Sequence, residues 1–143
     1  MTSCREQLFA ILDERLAAIA GVAEYEREPS GDPNAFPALV LYDGGQMQSD
    51  GEVGNSQQML TVTVQGYAEG GAGAAAHGAM NDLHAAVVAA LMTEPPLDGL
   101  VETIEDRGLR VSVAVLASKR RFGFAQDFEI QFATVRGDPT QFA

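Results

Sequence analysis

One cysteine, two histidines and a scatter of carboxylates are the groups in this sequence that could do chemistry. Cys4 falls in the first turn of an expected helix, where the helix N-terminus acidifies a thiol. No histidine neighbours it in sequence, so it reads as an inert, buried cysteine. His77 and His84 lie two turns apart on the same side of a second expected helix. Helical metal pairs use spacings of three or four, so these two read as solvated or half-buried side chains. Asp43, Asp50 and Glu52 resemble a calcium loop only in charge. They lack the D-x-D-x-D-G spacing and the terminal glutamate, and read as a solvated acidic loop. Gly71-Ala72-Gly73-Ala74-Ala75-Ala76 matches G-x-G-x-x-A between an expected strand and a helix. The strand before it alternates, whereas a dinucleotide-binding strand is buried on both faces. Glu69 would also repel a pyrophosphate, so the segment reads as a hinge. No catalytic residue, metal ligand set or cofactor is read from these groups.

What stands out instead is a local excess of positive charge. Lys119, Arg120 and Arg121 are three of nine basic residues in a chain with 20 acidic ones and a net charge of −11. They lie in an expected turn, 117–123, between two alternating runs. One reading is a hairpin turn kept soluble by charge. The other is a docking point, with the basic turn of one copy meeting the acidic loop Asp43 to Glu52 of the next. Such head-to-tail contact closes a ring if the rotation allows.

The elements that must position these groups follow from periodicity. Ser3 and Glu6 form a capping box. Leu8, Phe9, Ile11, Leu12, Leu16 and Ile19 then recur at helical spacing, so a first helix is expected from Cys4 to Ala20, stopped by Gly21. Val22 to Arg27 is a short strand candidate, and Glu28 to Phe36 is a loop punctuated by Pro29, Gly31, Asp32 and Pro33. Ala38 to Tyr42 reads as a compact apolar strand. Gly44 to Asn55 has no periodicity and is expected as a long mobile loop. In Ser56 to Ala68, Leu60, Val62 and Val64 alternate with polar residues, which predicts a half-buried strand. Ala74 to Thr93 is the second helix, with Ala76, Met80, Leu83, Val87 and Leu91 on one face, ended by Pro95-Pro96. Leu100 to Glu105 is a fourth strand candidate, and Asp106-Arg107-Gly108 a hairpin turn. Leu109, Val111, Val113 and Val115 share one face of a fifth strand. Phe124, Phe128, Ile130 and Phe132 share one face of a sixth, with Gln126 interrupting. Both faces are expected against the two helices, with Leu12 and Leu83 among their contacts. The tail 137–143 is expected extended, because Gly137 and Pro139 break regular elements. The class is α+β: a twisted, mainly antiparallel sheet with two helices on one face, in the order αβββαβββ.

Composition sets the outer bounds. A chain of 143 residues fits one domain. Its acidity disfavours nonspecific nucleic-acid or anionic-membrane binding, which rests on Lys and Arg. One cysteine allows no intrachain disulfide and fits a reducing compartment. No run reaches the roughly 18 apolar residues of a membrane span. The start enters an amphipathic helix with charges inside it and shows no signal peptide, which places folding in a cytoplasm.

The stretches FPALVLYDGG, AMNDLHAAVVAALM and LRVSVAVLASKRRFGFAQDFEIQFATVRGDP resemble tail terminator proteins of long-tailed (siphovirus-type) bacteriophages and related gene-transfer particles. The resemblance runs from about Arg5 to Pro139 and rests on pattern, with no catalytic signature. It implies a structural virion protein and no enzyme: a homo-hexameric ring that caps the tail tube, stops its polymerisation and offers a platform to the head connector. The implied partners are further copies of the chain, the tail tube protein, the head-completion or stopper protein and the tape measure protein. DNA would pass the channel without specific binding, and no membrane or cofactor is implied. The implied place is the head-proximal end of the tail, after assembly in a host cytoplasm. Residues expected at a subunit or tube interface are Asp43, Gln46, Met47, Asp50, Glu52, Lys119, Arg120, Arg121 and Phe122. Two alternatives stay open: another connector or tail-completion subunit, and a small ligand-binding or enzyme domain using the sheet's open face.

Overall fold

The structure, a computed structural model, describes residues 1–49, 51–69 and 73–143. Two helices and six strands follow in the order α1 (Cys4–Ala17), β1 (Glu24–Arg27), β2 (Ala38–Ser49), β3 (Asn55–Tyr67), α2 (Ala74–Leu91), β4 (Thr103–Leu116), β5 (Lys119–Val135) and β6 (Asp138–Phe142). The strands form one sheet in the order β1-β2-β3-β5-β4, with β6 pairing β5 off that path. Only β1 and β2 run parallel, and every other pair is antiparallel. The fold is therefore α+β, as its sequence pattern indicates.

α1 starts where Ser3 accepts a hydrogen bond from the Glu6 amide at 3.0 Å. The capping box is half made, because the Glu6 carboxylate pairs with Arg27 of β1 instead of turning back to the cap. α1 buries Cys4, Leu8, Phe9, Leu12 and Leu16, and α2 buries Ala76, Met80, Leu83, Val87 and Leu91. All of these but Ala76 meet one face of the sheet, formed by Leu39, Leu41, Leu60, Val62, Val64, Phe124, Phe128, Ile130 and Phe132, in a single apolar cluster. Leu12 and Leu83 belong to that cluster with Phe128 and Phe132. Its axis is the β3–β5 ladder, which runs unbroken from Asn55 opposite Val135 to Tyr67 opposite Gly123. Gly66 lies opposite Phe124 in that ladder. A Cβ at Gly66 would stand 2.4 Å from the Phe124 ring, so the glycine makes room for the aromatic.

Three expectations fail, each for an identifiable reason. First, Asp106-Arg107-Gly108 makes no hairpin. The fourth and fifth expected strands are one strand, β4, interrupted by a bulge between Arg107 and Leu109. Second, Gly44 to Asn55 is largely not a loop. β2 continues through it to Ser49, with a bulge between Asp43 and Gln46 where Gly45 takes a φ of +97°. Its alternation vanished because both faces of that half-strand are exposed. Third, Leu109, Val111, Val113 and Val115 lie on the helix side but are not covered. Val111 stands opposite buried Phe124 in the ladder, yet is 52% exposed. The tail 137–143, expected outside regular elements because of Gly137 and Pro139, is instead paired: Asp138–Phe142 forms β6 against β5, so the strand count is six although the six are not those expected.

These burial differences set opposite outcomes for two valine and phenylalanine truncations. Phe128→Ala should cost about 3–5 kcal/mol in denaturant unfolding, whereas Val113→Ala should stay within about 0.5 kcal/mol. Gly66→Ala should cost about 1–3 kcal/mol by overpacking against Phe124. Equal costs at Phe128 and Val113 would contradict the assignment of core and edge.

Candidate docking surfaces

The expected basic turn is a two-residue hairpin. Leu116 pairs with Lys119, and the turn is Ala117-Ser118, with φ of 51° and 65°. Two positive values match a type I′ geometry, whose twist suits paired strands. Asn-Gly is the favoured sequence there, so Ala-Ser holds this tip at a conformational cost. Lys119 and Arg120 are exposed at the tip. Arg121 is not: it is 8% exposed and committed inside the subunit. Its guanidinium donates to the Leu116 carbonyl at 3.1 Å, pairs with Glu69 at 3.2 Å and lies 3.7 Å from the centre of the Phe36 ring. Phe122 is half-buried, with His77 edge-on to its ring at a centroid distance of 5.7 Å. The exposed charge of the tip is therefore that of Lys119 and Arg120.

The acidic expectation also divides. Asp43 is paired with Arg5, and Gln46 accepts from Arg5 at 2.8 Å while donating to Gln58 at 2.9 Å. Met47 is exposed at 76%, and Glu52 is exposed. Asp50 lies outside the described residues. The β2–β3 tip that carries Glu52 sits beside Val135 and Arg136, where the Arg136 amide donates to the Gly54 carbonyl at 2.8 Å. The β4–β5 tip lies at the other end of β5. The basic and acidic tips are thus at opposite ends of one sheet. Gly71 and Ala72, the first residues of the glycine-rich match, lie outside the described residues.

The two histidines take different jobs. His77 is exposed beside Phe122, while His84 stacks edge-on to Phe124 at 5.3 Å and shares a 2.8 Å hydrogen bond with Gln126. Gln126 in turn donates to the Arg107 and Asp127 carbonyls, which settles the polar interruption in an aromatic face. Burial pushes the Cys4 thiol up from its ordinary range, with Asp138 adding to the effect, opposite to the shift expected from its helix position. Burial raises the Tyr25 hydroxyl too, reinforced by its 2.5 Å hydrogen bond to Asp13. Among the described residues no group of three His, Cys, Asp or Glu is placed to hold a metal ion. A cleft of about 310 Å³ at the start of α1 is lined by Ser3, Arg5, Glu6, Phe9, Arg27, Glu28 and Asp43. Its arginines are already paired with Asp43, Glu6 and Asp13.

What sequence reasoning missed is the outer edge of β4. Leu109, Val111, Val113 and Val115 are 44%, 52%, 45% and 71% exposed in one row. β6 pairs β5 at Thr134 and Val135, beyond the Thr103–Gln131 pair that ends the β4 ladder, so it leaves this row free. The signal was present as perfect alternation, which reports a face but not whether a helix lies over it.

Two measurements check this geometry. Ala117→Asn with Ser118→Gly should raise stability by about 1 kcal/mol or more, read as a higher melting temperature, because both residues then suit positive φ. Asp127 carries an acid-linked contribution. Its carboxylate accepts from Arg110 at 2.8 Å and Thr63 at 2.6 Å, and the Arg110 hydrogen bond holds it below the ordinary 3.8. A lowered folded value means stabilisation above the unfolded value that is lost as pH falls through the folded one. The stability gap between the wild type and Asp127→Asn should therefore be full near pH 7 and close below about pH 4. A gap independent of pH would show that the pair is not formed in solution.

No protein-family model matches this chain, and no curated protein matches it. Among solved structures it is similar to a chain of one described as "Virion of native gene transfer agent (GTA) particle", with a TM-score of 0.43 and 18% identity over 90% of this chain and 95% of that one. A likeness of that size assigns no role.

Proposed function

We propose that this chain is a structural subunit of a phage-type particle, and within that class a tail terminator. In this role copies of the chain form a ring at the head-proximal end of a tail. The ring caps the tail tube, stops its growth and receives the head-completion protein. The observation that carries the reading is the β4 edge: an apolar row, four side chains long, on a strand whose outer edge is unpaired. Soluble monomers blunt such edges with charge, proline or a covering element. This chain leaves it open and sets charged tips at both ends of the sheet, as a subunit built for assembly does. The end-to-end resemblance of its sequence to tail terminators supplies the kind of assembly.

The physical demands of a terminator fit these features. A tube end accepts subunits indefinitely unless its last layer matches the tube on one side and refuses it on the other. Different surfaces on the two sides of a ring meet that demand. A net charge of −11 would let DNA pass a channel without being held, because phosphate binding needs clustered Lys and Arg. Among the described residues no helix is long and apolar enough to cross a membrane.

The test is native mass in solution and inside assembled particles, with charge reversal at the tip. Lys119→Glu with Arg120→Glu should leave the melting temperature nearly unchanged, since both side chains are exposed. It should weaken ring formation or tube docking, less so as salt rises, because exposed pairs are screened beyond about 10 Å at 0.1 M. Rings, tail lengths and head attachment all unchanged in the double variant would remove the basic tip from the docking surface. A monomer in solution and absence from tails would remove the terminator role.

A further inference from the structure

We propose that the β4 edge of one copy pairs with the β1 edge of the next, so that a single sheet runs from copy to copy. The proposal rests on the ring reading above and names its contact. β1 and β4 are the two outer strands of the sheet. β1 is parallel to β2, and each later step across the sheet reverses direction, so β4 is antiparallel to β1. A second copy placed beside the first in the same orientation therefore presents β1 to β4 in the antiparallel sense, which hydrogen-bonds well.

The rows of the sheet also align. Tyr25 lies opposite Leu39, Leu39 opposite Gly66, Gly66 opposite Phe124 and Phe124 opposite Val111. By the same rows Glu24 falls level with Ser112, Glu26 with Arg110 and Arg27 with Leu109. Simple translation across the sheet thus brings the short β1 edge against the uncovered row of β4. Tyr25 reaches Asp13 of α1, so it points to the helix side and would meet Val111 there. Glu26 points to the other side, where the Arg110 side chain is 58% exposed. Opposite charges then face each other across the new ladder.

The tips agree with this choice of partner. Lys119 and Arg120 extend past the last β3 pairing, at the end of the sheet where β1 begins. Glu24 and the loop carrying Asp32 lie at that end of the next copy. The acidic β2–β3 tip is at the far end, so this alignment replaces the contact with Asp43 to Glu52 expected from the sequence. Four apolar side chains alone fall short of the roughly 800 Å² per partner of a standard interface. On this arrangement the remainder has to come from the basic tip and the neighbouring α1. Because the two edges differ, the contact is heterologous, as ring formation requires.

Paired cysteines test the register in the full chain. Directly opposed residues of an antiparallel ladder bring Cα atoms within disulfide range. Glu26→Cys with Arg110→Cys should give a ladder of covalent oligomers on mild oxidation, at concentrations where native mass shows a ring. Each single variant should give none with itself, and a mixture of the two singles should give dimers. The native Cys4 is buried and stays out of the reaction. Glu24→Cys with Ser112→Cys repeats the test without disturbing the Arg110–Asp127 pair. Val113→Glu should keep the fold and lower the ring population at least about tenfold. Rings of normal mass without cross-links in either pair would overturn the shared sheet and leave the ring reading standing. Self-cross-linking of Arg110→Cys alone would overturn it in favour of two β4 edges meeting. A monomer throughout would remove both.

Discussion

Two helices cannot cover this sheet. β5 holds 17 residues, about 56 Å of extended chain, whereas α2 holds 18 residues in about 27 Å. Strand residues that neither helix reaches, such as Lys119, Arg120 and the 43–49 half of β2, are exposed, and their side chains must suit water or another protein. Coverage also fails sideways: Phe128 of β5 lies under the helices, whereas Val113 stands on the outer strand β4, opposite Phe122, and is open. The core is dense where α1 and α2 lie over the β3–β5 ladder. The two long hairpins carry the remaining surface outward from it.

Positive charge is distributed under the same constraint. Most cations of this acidic chain hold the subunit together. Arg5 ties α1 to β2, Arg27 ties β1 to α1, Arg15 reaches Asp98, and Arg110 braces Asp127. Arg121 is the deepest of them, wedged between the Phe36 ring and Glu69. Exposed pairs of this kind each contribute little to stability, but each removes a cation from any outside partner. Lys119 and Arg120 stand apart at the hairpin tip.

The parts legible in the sequence were those with one wet and one dry face. The β3 alternation of Leu60, Val62 and Val64, the α2 face from Ala76 to Leu91 and the Phe128–Phe132 face all report direct contact with the core, so periodicity located them. Three features escaped because their physics is not local. The apolar row on β4 has the right period, but its exposure depends on its place at the sheet's edge, outside the cover of the helices. The 44–49 half of β2 lacks alternation because nothing covers either face. Gly108 sits in a bulge inside a strand, although D-R-G reads locally as a turn. The candidate docking residues were legible as charges, while Arg121 and Asp43 needed Glu69 and Arg5, distant in sequence, to show that they were occupied.

The bulges in β2 and β4 have a geometric consequence. One falls between Asp43 and Gln46, beside Val62 and Leu60 of β3; the other falls between Arg107 and Leu109, beside Asp127 and Gln126 of β5. Both interrupt strands that flank the central ladder, near the same level, and each bulge bends its strand and tightens the local twist. Bends on both sides of the ladder favour a crease across the sheet at that level. Any assembly that continues this sheet repeats the crease once per copy. Curvature would then accumulate as a property of each subunit, and the diameter of a closed ring would be encoded in two short stretches around Gly44-Gly45 and Gly108.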